Sequence, residues 1–145
     1  MKPDLPDRDV DGESFLEIIM RPHKCYYMSA KGLFDRPFLK GMAHITGGGV
    51  QDNLSRILPD SLDALIDLRT VQIPGVFGII RTEGNVTDSD MLRTFNMGIG
   101  LAVAVEPESA TEAITHFKQR GCECYEIGSI VDGQRKVRFE GLLNW

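Results

Sequence analysis

Apolar and polar positions recur with two different periods along the chain, and the switches between them mark a succession of strands and helices. Residues 1–13 are rich in Asp and Pro and carry few apolar side chains, which predicts a flexible tail ahead of a domain over 14–145. Ser14, with Glu17 three residues on, has the spacing of a capping box and predicts a short helix to Met20, ended by Pro22. A second helix is expected over 25–35. Lys40 to Thr46 is the first strand. Val50, Leu54, Ile57 and Leu58 then share one face of a helix over 50–58, stopped by Pro59. Leu62, Ala64, Ile66 and Leu68 alternate as a strand does.

Pro74 opens a helix that runs to Glu83 and ends at Gly84-Asn85. Thr87 caps another over 88–93. The strand Gly98 to Glu106 points Leu101, Val103 and Val105 one way and Ala102 and Ala104 the other. Pro107 begins a helix with Ala110, Ala113, Ile114 and Phe117 on one face, closed by Gly121. Cys122 to Val131 is expected as a strand. Asp132-Gly133 would turn it into a hairpin with Arg135 to Glu140. The order predicts an α+β (α/β layered) domain, a mixed sheet flanked by helices, with strand–helix–strand units over 40–68 and 98–131.

Composition narrows the function classes. The chain has 145 residues, enough for one domain with a real core, and is 42% hydrophobic and 26% charged. A formal net charge of −5 argues against nucleic acid as a partner. No run approaches the ~20 apolar residues that span a bilayer, and no basic segment precedes an apolar one at the N-terminus. Cys25, Cys122 and Cys124 are an odd count without framework spacing, so reduced thiols and a cytoplasmic location are expected.

The densest chemistry lies at 41–54, where a strand, the triple glycine Gly47-Gly48-Gly49 and a helix start follow one another. Such a turn leaves backbone N–H groups free for an anion, or is simply a tight strand-to-helix turn. It is not a Walker A loop, because no Lys follows, and its spacing is not that of a dinucleotide fingerprint. His44 and Thr46 leave the same face of the strand. They are either a ligand-facing pair or ordinary sheet residues. Asn96, before Gly98-Ile-Gly100, either meets a ligand or caps its own turn. Arg93 is an anion contact or a solvated cation. No Cys/His set has metal-ligand spacing, so no metal is expected on this chain, and no Ser sits in a nucleophile elbow.

Two strings considered together are more specific. Lys40-Gly-Met-Ala-His-Ile-Thr-Gly-Gly-Gly49 with Asn53-Leu-Ser-Arg-Ile-Leu-Pro59, and Asp90-Met-Leu-Arg-Thr-Phe-Asn-Met-Gly-Ile-Gly100, stand in the same order as in phosphoribosylformylglycinamidine cyclo-ligase, or AIR synthetase. The chain resembles that family from about Glu13 to Val131, closing on Tyr125-Glu-Ile-Gly-Ser-Ile-Val131. Sister families look different at the turn: formylglycinamidine synthetase has a His-Asp-Val-Ser-Asp-Gly-Gly string, and selenophosphate synthetase an Asp-Ile-Thr-Gly-Phe-Gly type.

The resemblance implies an ATP-dependent ring closure in purine biosynthesis, turning formylglycinamidine ribonucleotide into aminoimidazole ribonucleotide, ADP and phosphate, with Mg²⁺ on the nucleotide. It implies a substrate-binding cleft lined by His44, Thr46, Gly47, Gly48, Gly49, Asn53, Asn96 and Gly98, with Phe95 and Met97 beside them, and assigns no catalytic residue. Family members are about twice as long and homodimeric. Their N-terminal half supplies most of the ATP and Mg²⁺ site, and neither that half nor the His-Ser-Asn-Gly string before the matched region has a counterpart here. The expectation is therefore a C-terminal part, inactive without an N-terminal ATP-binding half or subunit. The alternative is a non-catalytic metabolite-binding or assembly module of the same fold.

Overall fold

A computed structural model describes residues 4–145. In chain order the strands are β1 (Asp9–Val10), β2 (Glu13–Ser14), β3 (Leu39–His44), β4 (Leu62–Asp67), β5 (Leu101–Val105), β6 (Gly128–Asp132) and β7 (Val137–Glu140). The helices are α1 (Phe15–Ile19), α2 (Tyr27–Ala30), α3 (Gly49–Ser55), α4 (Gly75–Gly84), α5 (Asp88–Thr94) and α6 (Ala110–Lys118). The fold is α+β with a mixed sheet.

Local chemistry accounts for the helix ends. Ser14 and Glu17 form the expected capping box on α1. The Thr87 side chain accepts from the Asp90 N–H at the start of α5. Asn85 closes α4 in the left-handed conformation. Behind α5, the Arg81 guanidinium lies 4.7 Å from the centre of the Trp145 ring, while Arg81 Nε and Trp145 Nε1 both donate to Asp88 Oδ1. This clasp ties α4, α5 and the last residue together.

Three apolar clusters form the interior. The main one joins Val50 and Leu54 of α3 and Met91 of α5 to Ala64 and Ile66 of β4 and Ala102 of β5. A second packs Ala113 and Phe117 of α6 against Ala30, Leu33 and Phe38, with Leu101, Val103 and Val105 beside them. The two faces of β5 thus go to different cores, as its alternation requires. A third holds Val10, Phe15 and Val76. Because Val10 is buried there and Asp9–Val10 pairs with Glu13–Ser14, residues 4–13 are structured where a flexible tail was expected. Residues 1–3 of that segment lie outside the described residues.

The sheet differs from expectation in two ways. It is divided: β3 and β5 form an antiparallel pair, while β6, β4 and β7 form a separate mixed sheet in that order. Both proposed strand–helix–strand units therefore connect different sheets. Residues 122–127 are irregular rather than the first half of a strand, and Cys122 and Cys124 pack in the second core. A groove of about 360 Å³ separates β5 from β6, lined by Ala104, Val105, Ile114, Ile127 and Ile130.

The expected hairpin is also absent. β6 and β7 lie on opposite sides of β4, antiparallel and parallel to it. Asp63 directs this crossing. Its carboxylate is 5% exposed, and Oδ1 accepts the N–H groups of Gln134 at 2.7 Å and Lys136 at 2.8 Å. Arg138 Nε stands 3.1 Å from Oδ2. The Gly133 N–H donates to Ser61 O, and that of Arg135 to Leu62 O. The connection is thereby drawn around the end of β4 instead of folding back on β6.

The Gln134 and Lys136 backbone N–H groups, with lesser help from Arg138, hold the Asp63 carboxyl below the usual carboxylate range. A lowered folded-state pKa adds stability above the unfolded value, and that stability is lost as pH falls through the folded value. Asp63→Ala is expected to lower Tm at neutral pH, with a penalty that shrinks as acid protonates the wild-type carboxylate. Thermal unfolding followed from pH 7 down to about pH 3 checks this.

Candidate functional site

The two distinctive strings meet on one face because β3 and β5 pair with His44 opposite Leu101, and Ile45 N–H donates to Gly100 O at 3.0 Å. Strand alternation does the rest. Ala43 and Ile45 are buried, whereas His44 and Thr46 are exposed.

Beyond Thr46 the chain turns sharply into α3. Gly48 (φ 92°) and Gly49 (φ 61°) both occupy the left-handed region. Gly49 is also sterically fixed. A side chain there would overlap the carbonyl oxygen of Leu92 and crowd that of Phe95, at the C-terminal end of α5. The turn is thus seated directly on the helix that leads into the second string. Gly47 is exposed and faces open space.

Asn53 is buried and reaches back from α3. Its Nδ2 donates to Gly49 O at 2.8 Å and Gly47 O at 3.1 Å, with Thr46 O at 3.5 Å. Its amide braces the turn from within. The Asp52 carboxylate lies over Gly48, where a Cβ would be 2.7 Å from Oδ2. The chain thus places its own carboxylate in the first turn of α3, where the helix dipole favours it.

The second string follows α5 as a tight turn. Asn96 Oδ1 accepts the Gly98 N–H at 3.0 Å, and Asn96 O accepts the Ile99 N–H at 2.9 Å. Met97 (φ 53°) and Gly98 (φ 91°) are its central residues. This geometry suits Gly98, which lies against Pro74 and Gln72 O, but is unusual for methionine. Met97 is held in it because its side chain is 1% exposed in the main core. Phe95 packs on Phe77 with ring centres 5.7 Å apart.

Two contributors were not singled out as site residues. The His23 ring meets His44 edge-on at 4.8 Å, and Tyr26 lies 6.1 Å from His44. The Tyr26 hydroxyl fills the space that a side chain at Gly100 would need. Burial raises the Tyr26 pKa. Their one sequence signal is position in a short extended stretch between two helices. A cavity of about 110 Å³ lies on one side of Tyr26, lined by Gly98, Gly100, Leu101, Cys124 and Tyr125. On the other side a shallow groove of about 320 Å³ is lined by Lys24, Tyr27, Phe34, Met42 and His44. Burial likewise raises the Cys124 thiol pKa.

Of the expected cleft residues, His44, Thr46, Gly47 and Gly98 are exposed, and Asn96 is half-buried and engaged in its own turn. Gly49 and Asn53 are buried supports. Among the described residues no group of three His, Cys, Asp or Glu side chains is placed to hold a metal ion. No described helix is long and apolar enough to cross a membrane.

The supports differ measurably from the rim. Gly49→Ala is expected to cost more than about 1 kcal/mol, combining a strained φ with the clash on Leu92. Asn53→Ala, which removes the buried amide that braces the turn, should cost about 1–3 kcal/mol. Gly47→Ala should stay within about 1 kcal/mol of wild type. Urea unfolding of the three variants measures these differences.

Residues 5–140 match the family described as AIR synthase related protein, C-terminal domain. A phosphoribosylformylglycinamidine cyclo-ligase of Alkaliphilus metalliredigens is 38% identical over 133 residues, covering 90% of this chain and 38% of that protein. The one from Chromobacterium violaceum is 40% identical over 134 residues, covering 92% of this chain and 39% of that protein. The bifunctional purine biosynthetic protein ADE1 of Schizosaccharomyces pombe is 44% identical over 114 residues, covering 79% of this chain and 14% of its own length. The chain spans about two fifths of the length of these cyclo-ligases. With the match running through both strings and the strands that join them, the chain belongs to the AIR synthase related protein family, in its C-terminal domain.

Proposed function

We propose that this chain is the C-terminal part of a phosphoribosylformylglycinamidine cyclo-ligase and forms one wall of its substrate cleft. The observation that carries the reading is the seating of Gly49 on the end of α5, against the carbonyls of Leu92 and Phe95, so that the turn after β3 abuts the start of the second string. His44, Thr46 and Gly47 present the outward side of that wall. The ligand is formylglycinamidine ribonucleotide, and the wall acts by holding it in position for ring closure. Asn53 and Gly49 keep the wall in shape.

In this reading ATP and Mg²⁺ belong mostly to an N-terminal half. The complete enzyme is a cytoplasmic homodimer in this reading, and the isolated chain turns over no ATP.

Two measurements test it. The chain alone is expected to give no ADP with substrate and ATP in a steady-state assay; product formed without a partner overturns the need for a second half. With a cyclo-ligase N-terminal half added, formylglycinamidine ribonucleotide should shift the amide signals of residues 46–48 and 96–98. Signals that stay unmoved while ring closure proceeds would place the substrate elsewhere. Association without ring closure favours an assembly module instead.

A further inference from the structure

The segment 16–34 exposes more apolar surface than its own packing explains. Among the described residues ten large apolar side chains are exposed, and six of them fall here: Leu16 (47%), Ile19 (50%), Met20 (72%), Tyr27 (55%), Met28 (71%) and Phe34 (49%). α1 is apolar on both sides. Phe15 and Ile18 face the third core against Val76 and Ile80, while Leu16 and Ile19 face outward with Met20 at its end. Its one charge, Glu17, is engaged in the capping box. Outward apolar side chains on so short a helix make the kind of exposed patch that marks an interaction site. α2 repeats the pattern, burying Ser29 and Ala30 and exposing Tyr27 and Met28. Arg21 paired with Glu13, and Lys31 over the Tyr27 ring, supply a charged border. Methionine and aromatic side chains inside such a border are the composition of an interface centre.

Resting on the function proposed above, we infer that α1 and α2 are the docking face for the portion of a cyclo-ligase that has no counterpart in this chain. The cyclo-ligases similar to this chain devote about three fifths of their length to that portion, enough for a domain of its own. Position favours it as the occupant over a second copy. Residues 21–26 connect the two exposed faces, and along that stretch His23 and Tyr26 pack on His44 at the open side of the cleft. A partner seated on α1 and α2 therefore lies beside His44, where the cleft lacks its other wall.

The test uses the whole chain and the unmatched portion of the Alkaliphilus metalliredigens cyclo-ligase, expressed separately, with association measured by calorimetry and ring closure assayed on the same mixtures. Met20→Asp and Met28→Asp are each expected to weaken association at least about tenfold, because a charge is driven into an apolar contact. Both side chains are largely exposed, so Tm should be unchanged. Leu142→Asp, equally exposed but outside this face, should bind as wild type does. Equal binding by all three variants, or no association of the wild-type chain, overturns the docking face. So does a homodimer of the wild-type chain that Met20→Asp and Met28→Asp dissolve without the added portion. Ring closure with undiminished binding of the variants rejects the face and keeps the functional reading. Association that depends on Met20 and Met28 but closes no ring keeps the face and rejects the function.

Discussion

The contact between Gly49 and the last carbonyls of α5 is the constraint on which the site depends. A strand-to-helix turn and the end of a distant helix meet there with no room for one additional carbon. Everything nearby is arranged to make that approach possible. Two successive residues adopt positive φ, the Asn53 amide holds the turn's carbonyls together, and Met91 and Met97 fill the core beneath. The cost of each device is met by burial around it, since Asn53, Met91 and Met97 are all nearly inaccessible to solvent. The exposed rim carries none of these tasks. Thr46 and Gly47 stay exposed because the residues behind them do the holding.

Much of this was legible in the sequence where local rules govern. Ser14, Thr87 and Asn85 occupy the helix ends assigned to them, because caps are decided within four residues. The alternation in Leu101–Val105 separated the two faces of that strand correctly. The family emerged from two strings that pairing of β3 with β5 brings side by side. The roles within the site were less visible. Asn53 looks like a ligand contact by proximity, and only the fold reveals that its amide points into the turn. His23 sits twenty-one positions before His44 in a stretch with no periodicity, so nothing local connects the two rings.

The failures of sequence reasoning lie where distant groups decide. Asp132-Gly133 has the composition of a hairpin turn, yet Asp63 captures the following N–H groups from some seventy positions away. Local turn preference cannot compete with a nearly buried carboxylate that needs those donors. Residues 122–127 alternate well enough for a strand but contribute cysteines to the second core instead. Val10 lies in a polar stretch that looks disordered, and it is fixed by Phe15 and Val76, the latter far along the chain.

The placement of β6 and β7 on either side of β4 has a consequence for how the chain acquires its shape. β4 is made well before its neighbours, each of which comes from more than sixty residues downstream. During synthesis it has no hydrogen-bonding partner in its own sheet until Gly128–Asp132 appears, and its second edge stays open until Val137–Glu140 follows. Long-range pairing of this kind is slow because loop closure precedes any gain from the ladder. While the ribosome adds the sixty or so residues between β4 and β6, the strand Leu62–Asp67 is uncovered, and its protection waits on segments made long after it.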